Sequence, residues 1–155
     1  MNEKIKIEQS NSPQTWNNLF ALGASKSIYF HYDFISSLDC PFRNYLIYKN
    51  NELIAGFTST LNANEDSIID HEFSIYSGFY FSERHNKKIN KKRIERIEVI
   101  NHVLEEIGAK YNNINFTLSP DIEDIRPFQW FNYNEESFKF SSNIFYTSFL
   151  DLTKS

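Results

Sequence analysis

Residues 45–61 read Tyr-Leu-Ile-Tyr-Lys-Asn-Asn-Glu-Leu-Ile-Ala-Gly-Phe-Thr-Ser-Thr-Leu. Two apolar runs rich in β-branched and aromatic residues flank Asn50-Asn51, and asparagine tolerates the positive φ that a two-residue hairpin turn demands. The stretch therefore predicts a strand over Tyr45–Lys49, a tight turn, and a second strand over Leu53–Leu61. Asn62–Asp66 is a polar loop. Ile68–Phe81 is long enough for a third strand, with Gly78 as the place for a bulge or bend. Three antiparallel strands in a row make a meander, and the rest of the chain is organised around it.

Upstream, Lys4–Glu8 alternates charged and apolar residues as a short edge strand does. Ser12-Pro13 has the form of an N-cap and first helical residue, followed by Trp16, Leu19 and Phe20 at helical spacing and by Gly23 as a stop. A second short helix is expected over Tyr32–Leu38, with Phe34, Ile35 and Leu38 facing inward and Pro41 closing it. Downstream, Asn86–Lys92 is a basic connector. The strongest helix follows over Lys91–Ala109, with Ile94, Ile97, Ile100, Leu104 and Ile107 as its apolar stripe and Gly108 near its end. Ile114, Phe116 and Leu118 alternate as a strand ended by Pro120. Asp121–Ile125 is expected to form a helical turn ended by Pro127, because a residue before proline avoids the α region. Ile144–Leu152 is a final strand. The order predicts an α+β domain: a mixed, mostly antiparallel sheet with helices packed against it.

The chain has 155 residues, enough for one domain with a core of its own. Fifteen Phe, nine Tyr and two Trp argue for a bulky core or an aromatic-walled cleft. A formal net charge of −4 argues against nucleic-acid binding driven by bulk charge, although it leaves room for a local basic patch. The single cysteine, Cys40, permits no internal disulfide and suits a reducing, cytoplasmic setting. The N-terminus lacks the apolar run of a signal peptide, and no stretch is apolar enough to span a bilayer.

No metal-ligand spacing links His31, His71, His85 and His102. Asp70 and Glu72 fall on one side of the expected third strand, where a carboxylate pair makes either a general base or a solvated face. Cys40 lies in a loop without the surroundings of a nucleophile. From Arg84 to Arg96 the chain carries Arg84, Lys87, Lys88, Lys91, Lys92, Arg93 and Arg96 at the start of the strong helix. Lys87, Lys88 and Lys91 are the candidate phosphate contacts there, since backbone N–H groups at a helix start already favour anions. The other reading is a solvated basic turn.

The segment Asp124-Ile125-Arg126-Pro127-Phe128-Gln129-Trp130-Phe131-Asn132-Tyr133 concentrates a guanidinium, an indole, an amide and a phenol. Such a set either holds a polar ligand against aromatic rings or fills a core around an Arg126–Asp124 pair. Its pattern resembles a motif of FemAB-like proteins in the acetyltransferase-like (GNAT) superfamily. Residues 145–152 resemble the strand that closes the first GNAT-like domain of those proteins. Ser27–Ile35 is similar to their early strand-to-helix segment, and Tyr76-Ser77-Gly78-Phe79 to their Tyr/Gly strand end.

The resemblance implies a single GNAT-like domain over 1–155, the N-terminal half of a two-domain protein that transfers an acyl or aminoacyl group to an amine of cell-wall or surface-sugar type. It implies Arg126, Trp130, Asn132, Tyr133 and Tyr76 as substrate-binding residues and assigns no catalytic one. No cofactor is expected on this domain alone, because the glycine-rich pyrophosphate loop of simple acetyltransferases is missing at Arg84–Arg93. Acyl-CoA or aminoacyl-tRNA is the expected donor for a longer form. The partners are then a second GNAT-like domain and a small amine acceptor, with tRNA as a further option. The rival from another class is a non-catalytic binding domain with a degenerate GNAT fold. A third option is a small complete acetyltransferase.

Overall fold

The computed structural model describes residues 4–23, 25–83 and 88–148. The chain forms two compact units, 1–124 and 125–155. The first holds β1 (Ile5–Gln9), α1 (Pro13–Leu22), a 3-10 turn (Ile28–Phe30), α2 (Tyr32–Ser37), β2 (Phe42–Lys49), β3 (Glu52–Leu61), β4 (Ser67–Ile69), β5 (Gly78–Phe81), α3 (Ile89–Lys110) and β6 (Asn113–Ile114). The second holds α4 (Arg126–Trp130).

The expected architecture is present. The sheet runs β1-β2-β3-β4-β6, with β5 also paired to β3, and every pair is antiparallel except β4 with β6. The hairpin turn is as the sequence dictates, with φ of 51° at Asn50 and 67° at Asn51. The ladder irregularity falls at Ile47/Tyr48 rather than at Gly78. Gly78 has φ 88° and opens β5, where a Cβ would also press on Phe116.

Cross-strand register assigns the two faces. Leu46, Gly56 and Tyr80 lie abreast, as do their neighbours Tyr45, Phe57 and Phe79. Alternation puts the two rows on opposite faces. A Cβ on Gly56 would lie 2.7 Å from Leu19 and 2.8 Å from Trp16, so α1 packs directly on that row. Trp16 is buried, and its indole N–H donates to the Phe30 carbonyl at 2.7 Å. The opposite row meets the end of α3 and the segment after it: Lys110 donates to the Tyr45 hydroxyl at 2.8 Å, the Tyr45 and Tyr111 hydroxyls are 2.9 Å apart, and Phe57, Phe79 and Phe116 stack edge to face. The meander thus divides two helical layers, α1/α2 on one side and α3 on the other.

Several expectations are corrected. The long third strand is broken: β4 pairs with the far end of β3 and β5 with its near part, and residues 70–77 loop out between them. Ser12 does cap α1, accepting from the Thr15 N–H. Gly23 ends that helix in extended backbone, φ −77°, and glycine is needed there because a Cβ would sit 2.0 Å from the Tyr80 hydroxyl. On α3, Val99, Ile100, Val103, Leu104 and Ile107 are buried, while Ile94 is exposed. Steps of three residues fall about 60° short of a full turn, so Ile94, two such steps before Ile100, is carried round to the open side.

Residues 121–125 are not helical, and Pro127 starts α4 instead of ending a helix. Proline has its φ preset for a first turn, where its missing N–H costs nothing. The strand of Ile114, Phe116 and Leu118 is laddered only over Asn113–Ile114. Of the expected final strand, residues 144–148 have no ladder partner among the described residues, with Ile144, Phe145 and Tyr146 exposed; residues 149–152 lie outside the described ones. Among the described residues no helix is long and apolar enough to cross a membrane.

Candidate functional site

In open α/β sheets ligands collect in crevices outside the carboxyl ends of strands, where neighbouring connections diverge. β4 and β6 are the parallel pair here, joined through α3, with Ser67 opposite Asn113 and Ile68 opposite Ile114. Contact continues as the Asn115 N–H donates to the Ile68 carbonyl at 3.0 Å and the Ser77 N–H to the Thr117 carbonyl at 2.9 Å. Beyond that bond the chains part. β5 continues along β3, while Ser119–Ile122 makes a turn of its own.

A groove of about 230 Å³ opens in the gap. Phe81 stands on the β5 side and Ile122, Glu123 and Asp124 on the other, with Lys92, Arg93, Arg96, Ile97 and Ile100 of α3 between them. A smaller cavity of about 80 Å³ adjoins it, sharing Phe81, Lys92 and Arg96 and adding Ile54, Ser82, Glu83 and Glu95.

The groove combines an apolar floor with a cationic wall. The Arg96 guanidinium lies over the Phe81 ring, 5.1 Å from its centroid, and donates to the Asp121 carbonyl at 3.3 Å. A ring and a carbonyl thus hold it in place. Arg93 reaches Glu123 at 3.8 Å. Glu95 is buried beside Lys49, 3.8 Å away, and Lys49 also bonds Glu98 at 2.9 Å. Those pairs tie β2 to the outer half of α3.

Part of the basic run lines the groove. Lys88 is the N-cap residue of α3, and Lys88 and Lys91 are exposed; neither lines the groove. Their neighbours Lys92, Arg93 and Arg96 do. Lys87, like Arg84 and His85, lies outside the described residues. The groove itself had no local signature, since its walls come from three separate segments. The available signal was a cation spacing of Lys92, Arg93 and Arg96 interleaved with Ile97 and Ile100.

The second unit brings some of its expected residues together. The Arg126 guanidinium lies 5.5 Å from the centre of the Trp130 ring. Trp130 and Tyr133 are exposed. Asn132 has φ 53° and donates its side-chain amide to the Phe138 carbonyl at 2.9 Å, so its amide N–H serves the turn. The Tyr133 carbonyl accepts from Lys139 at 3.0 Å. Beneath them Phe128, Phe131, Phe138 and Phe140 form an edge-to-face knot. Tyr76 belongs to the first unit, where its ring meets Tyr29 edge-on and packs against the α1/α2 core.

Asp70 and Glu72 do not share a strand face, because the chain turns there; both are exposed, and the Asp70 carboxylate accepts from the Thr117 hydroxyl. Burial, and secondarily Asp39, pushes the Cys40 thiol up, which disfavours a thiolate. Among the described residues no three His, Cys, Asp or Glu side chains gather as metal ligands do.

The chain is similar to solved N-acetyltransferases. One is the aminoglycoside N-acetyltransferase AAC(6')-Iy in complex with CoA, at 14% identity over 96% of this chain and 97% of that one, with a TM-score of 0.41. Another is a ribosomal-protein-alanine N-acetyltransferase from Brucella melitensis biovar Abortus 2308, at 12% identity, 93% and 100% coverage, and a TM-score of 0.41. A third is the aminoglycoside acetyltransferase HMB0005 from an uncultured soil metagenomic sample, at 14% identity, 94% and 99% coverage, and a TM-score of 0.39. At these identities and TM-scores the likeness does not bear on activity. No protein-family model matches the sequence, and no curated protein matches it.

Proposed function

We propose that the chain is an acyl-transfer domain of FemAB-like type, which seats part of a phosphate-bearing acyl donor in the groove on α3 and passes the acyl or aminoacyl group to an amine. The observation that carries this is the pairing of an apolar floor, Phe81, Ile97, Ile100 and Ile122, with the Lys92, Arg93 and Arg96 wall between β5 and the segment after β6. Such a site suits a ligand with an uncharged arm and an anionic tail, as acyl-CoA has, and aminoacyl-tRNA shares the anionic backbone. The volume lies below the ~300–1,000 Å³ of sites that enclose a whole small molecule, so the groove takes one part of the donor.

In this reading the amine attacks the thioester or ester carbonyl, the carbonyl carbon becomes tetrahedral, and the thiol or hydroxyl leaves with the proton the amine gives up. The domain contributes by holding the two reactants in line. Arg126, Trp130, Asn132, Tyr133 and Tyr76 are proposed for the acceptor side, working with a second domain of the same kind. The site is cytoplasmic in this proposal, as the donors are.

Thermal unfolding with CoA and acetyl-CoA is the test. Ligand at ten times its Kd adds about 1.4 kcal/mol, which raises the Tm of a chain this size by roughly 3–6 °C. Lys92→Gln should reduce the shift. Acetyl transfer to simple amines by residues 1–155 should stay low, given the missing glycine-rich loop. Absence of any shift with CoA, acetyl-CoA or an aminoacylated tRNA would remove the donor site. Binding without turnover in any longer form would favour the second reading, a binding domain.

A further inference from the structure

The groove's cations are not equally committed. Arg96 is fixed by the Phe81 ring and the Asp121 carbonyl. The Lys92 ammonium, which lines both cavities, has no side-chain partner among the described residues. Arg93 is held by a carboxylate from the facing wall, Glu123, at 3.8 Å. Both members of that pair line the groove, and both side chains are more than half exposed, 52% and 71%. The contact therefore spans the groove without being locked in it.

From this we infer that Glu123 is a built-in competitor: it occupies Arg93 in the empty groove and must release it when the anionic end of a ligand arrives. The inference rests on the groove being the anion site proposed above. Phosphate is the stronger claimant. A pyrophosphate carries more negative charge than the single Glu123 carboxylate, and it can bridge Arg93 to Lys92. An exposed pair at this distance is cheap to open, since most such pairs contribute little net stability. The consequence is discrimination: a neutral ligand that fills only the apolar floor leaves the pair intact, and a weakly charged one gains little by breaking it. Glu123 therefore sets a threshold of negative charge for entry, and the groove admits polyphosphate-bearing molecules over carboxylates of similar size.

The experiment measures Kd by titration calorimetry on the 155-residue chain, with CoA and inorganic pyrophosphate as probes. Glu123→Gln keeps the shape of the side chain and removes its charge. It should tighten both probes by about two- to five-fold, the range for an exposed ion pair. Glu105→Gln is the control for bulk charge. Glu105 is exposed on α3 and lies about 18 Å from Arg93 along the helix axis; its variant should leave Kd unchanged. In an Arg93→Gln background the effect of Glu123→Gln should disappear, since the carboxylate then has nothing to hold. If the wild type binds and Glu123→Gln is no tighter, or if its gain persists without Arg93, the competitor role is overturned while the groove stands. If the wild type binds neither probe, the anion site fails and the competitor with it.

Discussion

From Val99 to Ile107, α3 buries five apolar side chains; from Ile89 to Glu98 the same helix buries only Glu95 and leaves Ile89 and Ile94 in solvent. The inner half is held by hydrophobic contact with the aromatic face of the meander. The outer half is held by polar ties, Lys49 with Glu95 and Glu98, and Arg96 with Asp121, and it carries the groove cations. One helix thus serves as core at one end and as binding surface at the other.

Substitutions sharpen that contrast. Ile100→Asp puts an uncompensated charge at a buried position and is expected to cost about 4 kcal/mol or more, a large share of a domain's usual ~5–15 kcal/mol of stability. Ile94→Asp, one and two-thirds turns earlier, is expected to stay within about 0.5 kcal/mol. Urea unfolding of both variants reads the difference; equal losses would abolish the division between the halves.

A second, smaller effect comes from two buried phenols. Burial, reinforced by the bond to Tyr45, pushes the Tyr111 phenol up to about 12, and burial does the same to Tyr80. A phenol is near 10 in the unfolded chain. The folded state therefore holds these protons more tightly. Their contribution is complete below about pH 10 and drains away as the pH rises through about 12. Stability measured across pH 9–12 should fall, and Tyr111→Phe should flatten part of the slope, leaving the share due to Tyr80. A slope unchanged in Tyr111→Phe would mean that the phenol is wet.

The sequence was most informative where one local rule dominated. Asn50-Asn51 announced its hairpin because two left-handed residues suit few other structures. Ser12-Pro13 announced the start of α1. It misled where a local rule had two outcomes. Pro127 fits both the end of a helix and the first turn of the next, and only the packing of Phe128 among its neighbours decides. Ile94 shares the three-residue isoleucine spacing of Ile97 and Ile100, but the rotation of the helix carries it off the buried face. Residues 68–81 are long enough for one strand, yet β3 receives them as two pieces, and the strand-depleted Asp70 and Glu72 stand where the chain leaves the sheet. As for the site, the charges of Lys92, Arg93 and Arg96 were visible as part of a basic run. Their assembly with Phe81 and Glu123 was not, because those residues meet only through the parallel crossover.

That crossover also bears on the order of events as the molecule forms. The turn at Asn50-Asn51 asks for the closure of a very short loop, and hairpins of that kind appear within about 1–10 μs. Ser67 meets Asn113 only across a connection that contains all of α3, and loop-closure entropy delays a contact of such range. The meander is therefore expected to form first and the groove last. In stopped-flow refolding, burial of Trp16 should precede recovery of CoA binding; simultaneous recovery would show that the crossover closes with the hairpin.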